Sequence, residues 1–147
     1  YDVKQLMIGS EGTLGVITEA ALMCPSQDPP KRVLMVAVAT FEKCVQILKH
    51  ARRCLGSSLS AFEMLDRTCL QQMEKAYSMQ LPFSSLECQF YLLVETFQNT
   101  TEEAAEEQLL DFLETLGDLI EDGVIAQDEK QAQQLWFLRK GVSSASS

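Results

Sequence analysis

The chain has 147 residues, a net charge of -9, 46% hydrophobic and 22% charged residues, and a pI near 4.5. This composition argues against disorder, since a domain of about this length buries roughly two-thirds of its unfolded surface in one core. The acidic balance argues against a nucleic-acid partner, which is bound through clustered Lys and Arg, and the longest apolar run, residues 33–39, is far shorter than the roughly 20 residues of a membrane span.

A glycine-rich segment, residues 8–20, lies near the start of the chain. Gly9, Gly12 and Gly15 recur at every third position between two short apolar runs, which predicts a strand, a tight loop and a return to extended structure. Glycine allows a positive φ and close approach of a ligand to the main chain, and exposed N–H groups in such a loop can bind phosphate or ribityl oxygens. The spacing is neither the dinucleotide fingerprint nor the phosphate loop. From the residues alone, a cofactor loop and a glycine-rich hairpin are equal alternatives.

Residues 25–32 are rich in proline and polar residues, which predicts a linker because proline cannot continue a helix or a central strand. Beyond the linker, strands and helices alternate four times. Apolar runs and β-branched or aromatic residues predict the strands. The expected strands are residues 33–39, 59–65, 90–96 and 119–127.

Each predicted strand is followed by apolar residues at helical spacing, and capping residues suggest where the helices begin and end. The first helix is expected at residues 41–55, before Gly56. Asp66, the capping box at residues 100–103 and Asp128 predict the three later starts, and Gly117 predicts the end of the third helix. The stripes expected to be buried are Phe41, Val45, Leu48, Ala51 and Leu55; Leu70, Met73 and Tyr77; Ala105, Leu109, Phe112 and Leu116; and Leu135, Trp136 and Leu138. By pattern alone, this alternation suggests a parallel α/β fold.

Arg139 is the most informative charged residue. On a helix Trp136, Arg139 and Ser143 fall at i, i+3 and i+7, which places an aromatic plane, a guanidinium and a hydroxyl on one stripe. Arginine binds carboxylates in a bidentate manner, and an exposed arginine on an amphipathic helix is the alternative. Gly141 is expected to weaken the end of this helix, because glycine in a helix costs about 1 kcal/mol.

The other polar residues give little indication of catalysis. Glu63 and Glu95 lie on predicted strands and are interpreted as edge or interface carboxylates. The five cysteines lack C-x-x-C spacing and are an odd number, which favours reduced, partly buried thiols. The single histidine, His50, is expected to be solvated, and a zinc site within the chain is not expected.

Residues 9–18, with residues 1–6 before them, resemble the last cofactor-contacting segment of FAD-dependent oxidoreductases of the vanillyl-alcohol-oxidase type. Residues 60–66, 90–96 and 135–139 resemble, in matching order, the first part of the cap or substrate domain in the D-2-hydroxyacid dehydrogenases of that family. The resemblance implies a slice of a longer enzyme. Residues 1–24 would end its FAD-binding domain, residues 25–32 would be a linker, and residues 33–147 would begin the cap domain.

For the fold, the resemblance implies an α+β domain with a largely antiparallel sheet and helices packed on one side, preceded by a short β segment. We adopt this fold and keep parallel α/β as the alternative. If the helices cover one side only, the other apolar face is expected to meet the flavin domain.

The resemblance also implies a site. FAD would be bound by residues of the glycine-rich segment, and the substrate carboxylate by Arg139, with Ser143 in the place of a threonine of the family. The cofactor-binding residues expected on this basis are Glu11, Gly12, Thr13, Leu14, Gly15, Val16 and Ile17. The catalytic base and the ligands of any divalent metal are expected outside this chain, in the remainder of the same polypeptide.

The implied reaction is the oxidation of a D-2-hydroxy acid to the 2-oxo acid by hydride transfer to flavin, with D-2-hydroxyglutarate as the expected substrate. The small Ser143 leaves space for a second carboxylate, whereas a larger aromatic side chain would favour D-lactate or glycolate, the alternative substrates. A non-catalytic α+β ligand-binding or interaction module is the alternative of another class. The electron acceptor is not identified by the sequence, and the location is expected to be mitochondrial in a eukaryote and otherwise cytoplasmic.

Overall fold

A four-stranded antiparallel sheet organises the structure, with the spatial order β2-β3-β1-β4. The strands are β1 (Lys31–Val38), β2 (Leu59–Asp66), β3 (Phe90–Phe97) and β4 (Asp122–Ile125). The two central strands pair over their whole length, from Lys31 opposite Phe97 to Val38 opposite Phe90. The predicted antiparallel α+β fold is therefore confirmed, and the parallel α/β alternative is wrong.

This computed structural model describes residues 1–24, 29–84, 86–98 and 101–145. Residues 25–28 of the predicted linker, Thr100 of the predicted capping box and the last two serines of the chain lie outside the described residues. β1 begins at Lys31, two residues earlier than predicted, so the end of the expected linker belongs to the sheet.

Helices cover both faces of the sheet. The helices of the described residues are α1 (Lys4–Met7), α2 (Phe41–Cys54), α3 (Arg67–Tyr77), α4 (Glu102–Leu116), α5 (Glu129–Lys140) and α6 (Val142–Ala145), and α2 to α5 cover the two faces. Leu34 and Val36 of β1 lie in one apolar core with α2 and α4, whereas Val33 and Met35 lie in a second core with α3 and α5. Successive side chains of a strand point to opposite faces, so the uninterrupted apolar run of β1 supplies both cores. The expectation that helices pack on one side only is corrected accordingly.

The helix starts follow the capping residues of the sequence. Asp66 accepts a hydrogen bond from the backbone N–H of Cys69 at 2.8 Å, and Asp128 accepts one from Gln131 at 2.7 Å, as predicted. Thr101 caps α4 in the same way, and Gly117 ends that helix with φ +45°. Each such N-cap stabilises its helix by about 1 kcal/mol. The capping residues therefore determine the residues at which these helices begin.

The buried side of α2 agrees with the prediction at Ala51 and Leu55 and differs from it at Phe41. Cys44, Ile47 and Ala51 face the core, whereas Phe41 is 51% exposed. His50, expected to be solvated, is half-buried: its ring stacks on Phe112, and its Nε2 lies 2.8 Å from Thr115 Oγ1. His50 therefore joins α2 to α4.

Residues 1–24 contain the short helix α1 and no strand. The predicted β segment is thus wrong, and Leu6 lies in α1. A strand needs a partner strand for its backbone N–H and C=O groups, and within the described residues β1 to β4 pair with one another and not with residues 1–24. Nearly all side chains of this segment are exposed, including Leu14, Val16 and Ile17.

A buried carboxylate, that of Glu95 in β3, fixes α5 to the sheet. Its side chain accepts hydrogen bonds from Ser60 Oγ at 2.5 Å and from Trp136 Nε1 at 2.7 Å, and Lys31 Nζ lies at 3.2 Å. Burial on its own raises the pKa of Glu95, but the bonds from Ser60, Trp136 and Lys31 outweigh burial and lower the pKa below its ordinary value. Glu95 is thus a charged group whose donors come from β1, β2 and α5.

We expect Glu95→Gln to lower the free energy of unfolding by about 1–3 kcal/mol at neutral pH, because a neutral amide cannot replace a carboxylate that accepts charge-assisted bonds. The folded-state pKa of Glu95 lies below the ordinary value of about 4.3. The stabilisation is therefore complete above that pH and is lost as the pH falls through the lower folded-state pKa. Urea unfolding of both proteins along a pH series measures the difference.

Glu107→Gln is the matched control for this experiment, since Glu107 is an exposed glutamate of α4. It should change the free energy of unfolding by less than about 0.5 kcal/mol. A Glu95→Gln difference that stayed constant from neutral to acidic pH would contradict a role for the charge.

Candidate functional site

One aromatic and one cationic side chain of α5, those of Trp136 and Arg139, form hydrogen bonds with glutamates of the sheet. Trp136 Nε1 donates to Glu95 Oε2 at 2.7 Å, and Arg139 Nε donates to Glu63 Oε2 at 2.8 Å. Glu63 pairs with Leu93 across the β2–β3 ladder, and Leu93 lies in the core beneath α5. The i, i+3 spacing of the two α5 residues therefore matches two carboxylates on one face of neighbouring strands.

A β-bulge completes the set of donors around Glu95. Leu59 pairs with Thr96 and Ala61 pairs with Glu95, so Ser60 is the additional residue of β2. Bulges re-aim side chains in a sheet, and here the Ser60 hydroxyl donates to the Glu95 carboxylate. Sequence reasoning treated Glu63 and Glu95 as edge or interface carboxylates and missed these partners. The sequence feature that could have indicated these contacts is a glutamate at a core-facing position in each of β2 and β3.

The Arg139–Glu63 pair lies at the rim of the domain. The side chains of Arg139 and Glu63 are 41% and 36% exposed. Arginine carries five N–H donors, and within the described residues its hydrogen bond to Glu63 uses the one at Nε. The terminal edge of the guanidinium is thus able to bind a further carboxylate in a bidentate manner.

Ser143 does not share a helix with Arg139. α5 ends at Lys140, Gly141 is its C-cap, and Ser143 lies exposed in the four-residue helix α6. The i, i+7 stripe that included Ser143 is therefore interrupted at Gly141, where the sequence predicted a weak helix end. The Nζ of Lys140 lies 5.0 Å from the ring centroid of Trp136, so a second cation flanks the aromatic plane.

The glycine-rich segment forms two successive turns. Gly9 and Gly12 both have φ +81°, and Glu11 has φ +48°. Ser10 Oγ donates to the Met7 carbonyl at 2.9 Å, and Thr13 Oγ1 donates to the Ser10 carbonyl at 2.7 Å. A positive φ strongly favours glycine, so Gly9 and Gly12 are required by the shape of the loop.

The rest of the predicted cofactor segment, residues 13–17, forms neither helix nor strand and is exposed. Gly15 does not have a positive φ, and a Cβ atom built on it would lie 2.8 Å from Met7 Cε. Leu14, Val16 and Ile17 are 63%, 84% and 59% exposed. Neighbouring apolar side chains that are exposed in this way mark a surface suited to a further part of a protein or to a ligand.

A cleft of about 740 Å³ lies beside Glu95, between the start of β1 and the start of α5. Its lining includes Lys31, Gln98, Asp128 and Trp136, but not Arg139. The predicted carboxylate anchor, Arg139, therefore does not line this cleft.

The cysteines of this chain are unpaired thiols. Burial raises the pKa of Cys44, Cys69 and Cys88, which disfavours the reactive thiolate.

Within residues 1–24, 29–84, 86–98 and 101–145, no three His, Cys, Asp or Glu side chains cluster as metal ligands. No helix in the same ranges combines the length and apolar character needed to cross a membrane.

Comparison with known proteins identifies related chains. This chain is 39% identical to the mitochondrial D-2-hydroxyglutarate dehydrogenase of Danio rerio, over 99% of this chain and 27% of the relative. It is also 39% identical to a mitochondrial protein of Schizosaccharomyces pombe named as a D-lactate dehydrogenase, over 97% of this chain and 27% of the relative. Identity to the D-2-hydroxyglutarate dehydrogenase of Xanthomonas citri pv. viticola is 36%, over 99% of this chain and 30% of the relative.

The chain thus spans between 27% and 30% of the length of these relatives. Residues 27–147 match the family described as FAD linked oxidases, C-terminal domain. This range includes all four strands, Glu63, Glu95 and Arg139. The resemblance drawn from the sequence is confirmed, and the chain belongs to the family of the FAD linked oxidases, C-terminal domain.

Proposed function

We propose that the chain is part of an FAD-dependent dehydrogenase that oxidises a D-2-hydroxy acid to the 2-oxo acid, with D-2-hydroxyglutarate as the substrate. The description of its family supports FAD as the cofactor, which accepts the hydride when bound. The names of the relatives from Danio rerio and Xanthomonas citri support the substrate. In this proposal the catalytic base and the ligands of any divalent metal come from the remainder of the same polypeptide, which is consistent with the absence of a metal-ligand cluster among the described residues.

In this proposal Arg139 binds a carboxylate of the substrate. The supporting observation is that its guanidinium is held at the domain rim by Glu63, while its terminal edge makes no hydrogen bond to the described residues. Ser143, in α6, contributes a hydroxyl, and its small side chain leaves room for a second carboxylate. The relative named as a D-lactate dehydrogenase supports D-lactate or glycolate as the alternative substrate.

The cofactor contacts in this proposal come from residues 11–17. Their support is the resemblance of this segment, the positive φ of Gly12, and the exposure of Leu14, Val16 and Ile17. Residues 1–24 then end the FAD-binding domain, residues 25–32 link it to the cap domain, and residues 33–147 begin the cap domain. The mitochondrial names of the eukaryotic relatives support a mitochondrial location if the source is a eukaryote.

We expect Arg139→Ala in the complete protein to lower kcat/KM for D-2-hydroxyglutarate by about two to four powers of ten, or roughly 3–5 kcal/mol, because a substrate charge loses its partner. Arg139→Lys should restore only part of the loss, since an ammonium lacks the planar fork. Steady-state kinetics with D-2-hydroxyglutarate and D-lactate, beside the flavin spectrum, measure the effect.

Arg52→Ala is the control for the loss of a positive charge, because Arg52 is an exposed arginine of α2. It should leave kcat/KM at the wild-type value. Near-wild-type kcat/KM for Arg139→Ala on both acids would overturn the role of Arg139, and the ratio of the wild-type kcat/KM values for the two acids would identify the preferred substrate.

Two glycine substitutions test the cofactor segment in the complete protein. Gly12→Val should lower flavin occupancy, because valine rarely adopts the positive φ of the loop. Gly15→Val should also lower flavin occupancy, but for a different reason. Gly15 does not have a positive φ, and the flexible end of the Met7 side chain can move away from an added Cβ. A loss of flavin in this variant would therefore indicate that the valine side chain blocks the approach of the ligand. The flavin-to-protein absorbance ratio after gel filtration is the measurement.

Gly56→Val is the matched control, since Gly56 has φ +52° at the start of a short 3-10 helix before β2. It carries the same kind of backbone strain but should leave flavin occupancy unchanged. Folded Gly12→Val and Gly15→Val proteins with full flavin content would remove this segment from the cofactor site.

The isolated chain should neither retain stoichiometric FAD nor oxidise a 2-hydroxy acid, because one loop cannot replace a cofactor domain. Purified chain incubated with FAD and passed over a desalting column is the direct test. Paired flavin absorption bands co-eluting with the chain would contradict this expectation.

A further inference from the structure

Glu63 occupies a position on β2 that the packing of the sheet would fill with an apolar side chain. Its cross-strand partner Leu93 is fully buried, and Leu65, two residues along the same face, is 3% exposed. An ion pair whose two side chains are each more than a third exposed contributes little to stability, whereas an apolar residue would extend the core. The stability of the fold therefore does not account for a carboxylate at this position.

The geometry of the pair is specific to one part of the arginine. Glu63 Oε2 accepts from Nε at 2.8 Å, and because the guanidinium is planar, this bond fixes the orientation of the whole group. The end-on edge, formed by Nη1 and Nη2, is not used by Glu63. An arginine that is already held in place loses less conformational freedom when a ligand binds.

We propose that Glu63 is a positioning residue that holds the Arg139 guanidinium by its Nε, so that the terminal edge can receive the substrate carboxylate. This inference rests on the proposed role of Arg139. Glu63 acts through Arg139 and does not touch the substrate. Its negative charge weakens the attraction of the site for an anion, so its contribution is the orientation of Arg139 and not its charge.

Orientation and charge can be separated by substitution at residue 63 of the complete, flavin-loaded protein. Glu63→Gln keeps an oxygen that can accept from Nε and removes the charge, whereas Glu63→Leu and Glu63→Ala remove the acceptor. A misplacement of about 1 Å can cost about 100-fold. We therefore expect Leu and Ala to lower kcat/KM for a 2-hydroxy acid by about 10- to 100-fold, and Gln to remain within about 3-fold of wild type.

A double-mutant cycle tests whether Glu63 acts through Arg139. In the Arg139→Ala background, Glu63→Leu should change kcat/KM by less than about 2-fold, because the group that it positions is gone. The matched control is Glu121→Ala, which breaks the Lys43–Glu121 ion pair of 3.2 Å elsewhere on the surface and should leave kcat/KM unchanged. Flavin content and Tm of every variant show whether the fold is intact, and Glu63→Leu replaces Glu63→Ala if the latter does not fold.

The outcomes separate the two proposals. If Arg139→Ala lowers kcat/KM but Glu63→Leu does not, or if their losses multiply in the double variant, the positioning role is overturned and the role of Arg139 stands. Equal losses for Gln and Leu would also overturn it, because the charge would then be the important property. If Arg139→Ala has no effect, the proposed function of Arg139 fails and the role of Glu63 fails with it.

Discussion

The position of α5 depends on the hydrogen bond between Trp136 and the buried carboxylate of Glu95. A carboxylate that is 7% exposed is costly unless its oxygens are partnered, and here donors come from Ser60, Lys31 and Trp136. These donors belong to β2, β1 and α5, so the charge of Glu95 can be buried only when the three elements meet. α5 is thus held by a polar contact at Trp136 as well as by the apolar contacts of Leu135 and Leu138.

The sheet makes this arrangement possible because both of its faces are covered by helices. An uninterrupted apolar run such as that of β1 is typical of a strand buried on both faces. The resemblance instead led to the expectation of helices on one side. With α3 and α5 on the second face, the surfaces open to other parts of the protein include the exposed apolar side chains of residues 1–24 and the Arg139–Glu63 pair.

What could be predicted from the sequence is local. Asp66 and Asp128 lie within three residues of the N–H groups they cap, and the stripe of α4 follows helical periodicity alone. The contacts that were missed join distant residues: 41 residues separate Trp136 from Glu95, and 76 separate Arg139 from Glu63. The hydrophobic periodicity of a single helix or strand does not predict contacts between residues so far apart in the sequence. The buried side of α2 was misjudged for a related reason, since the small Cys44 faces the core while the larger Phe41 is half exposed, and only the packing of the sheet decides between them.

The two residues predicted to bind substrate are positioned by different constraints. Arg139 lies one helical turn after Trp136, whose indole is fixed by a buried charge, so its backbone is held by a rigid element before any ligand arrives. Rigid elements place binding groups more reliably than loops do. Ser143 follows Gly141, where α5 ends, and the exposed helix α6 that carries it has only four residues. The anchor at Glu95 therefore determines the position of Arg139 but not that of Ser143, and a change in α6 can alter the second position while the first stays in place.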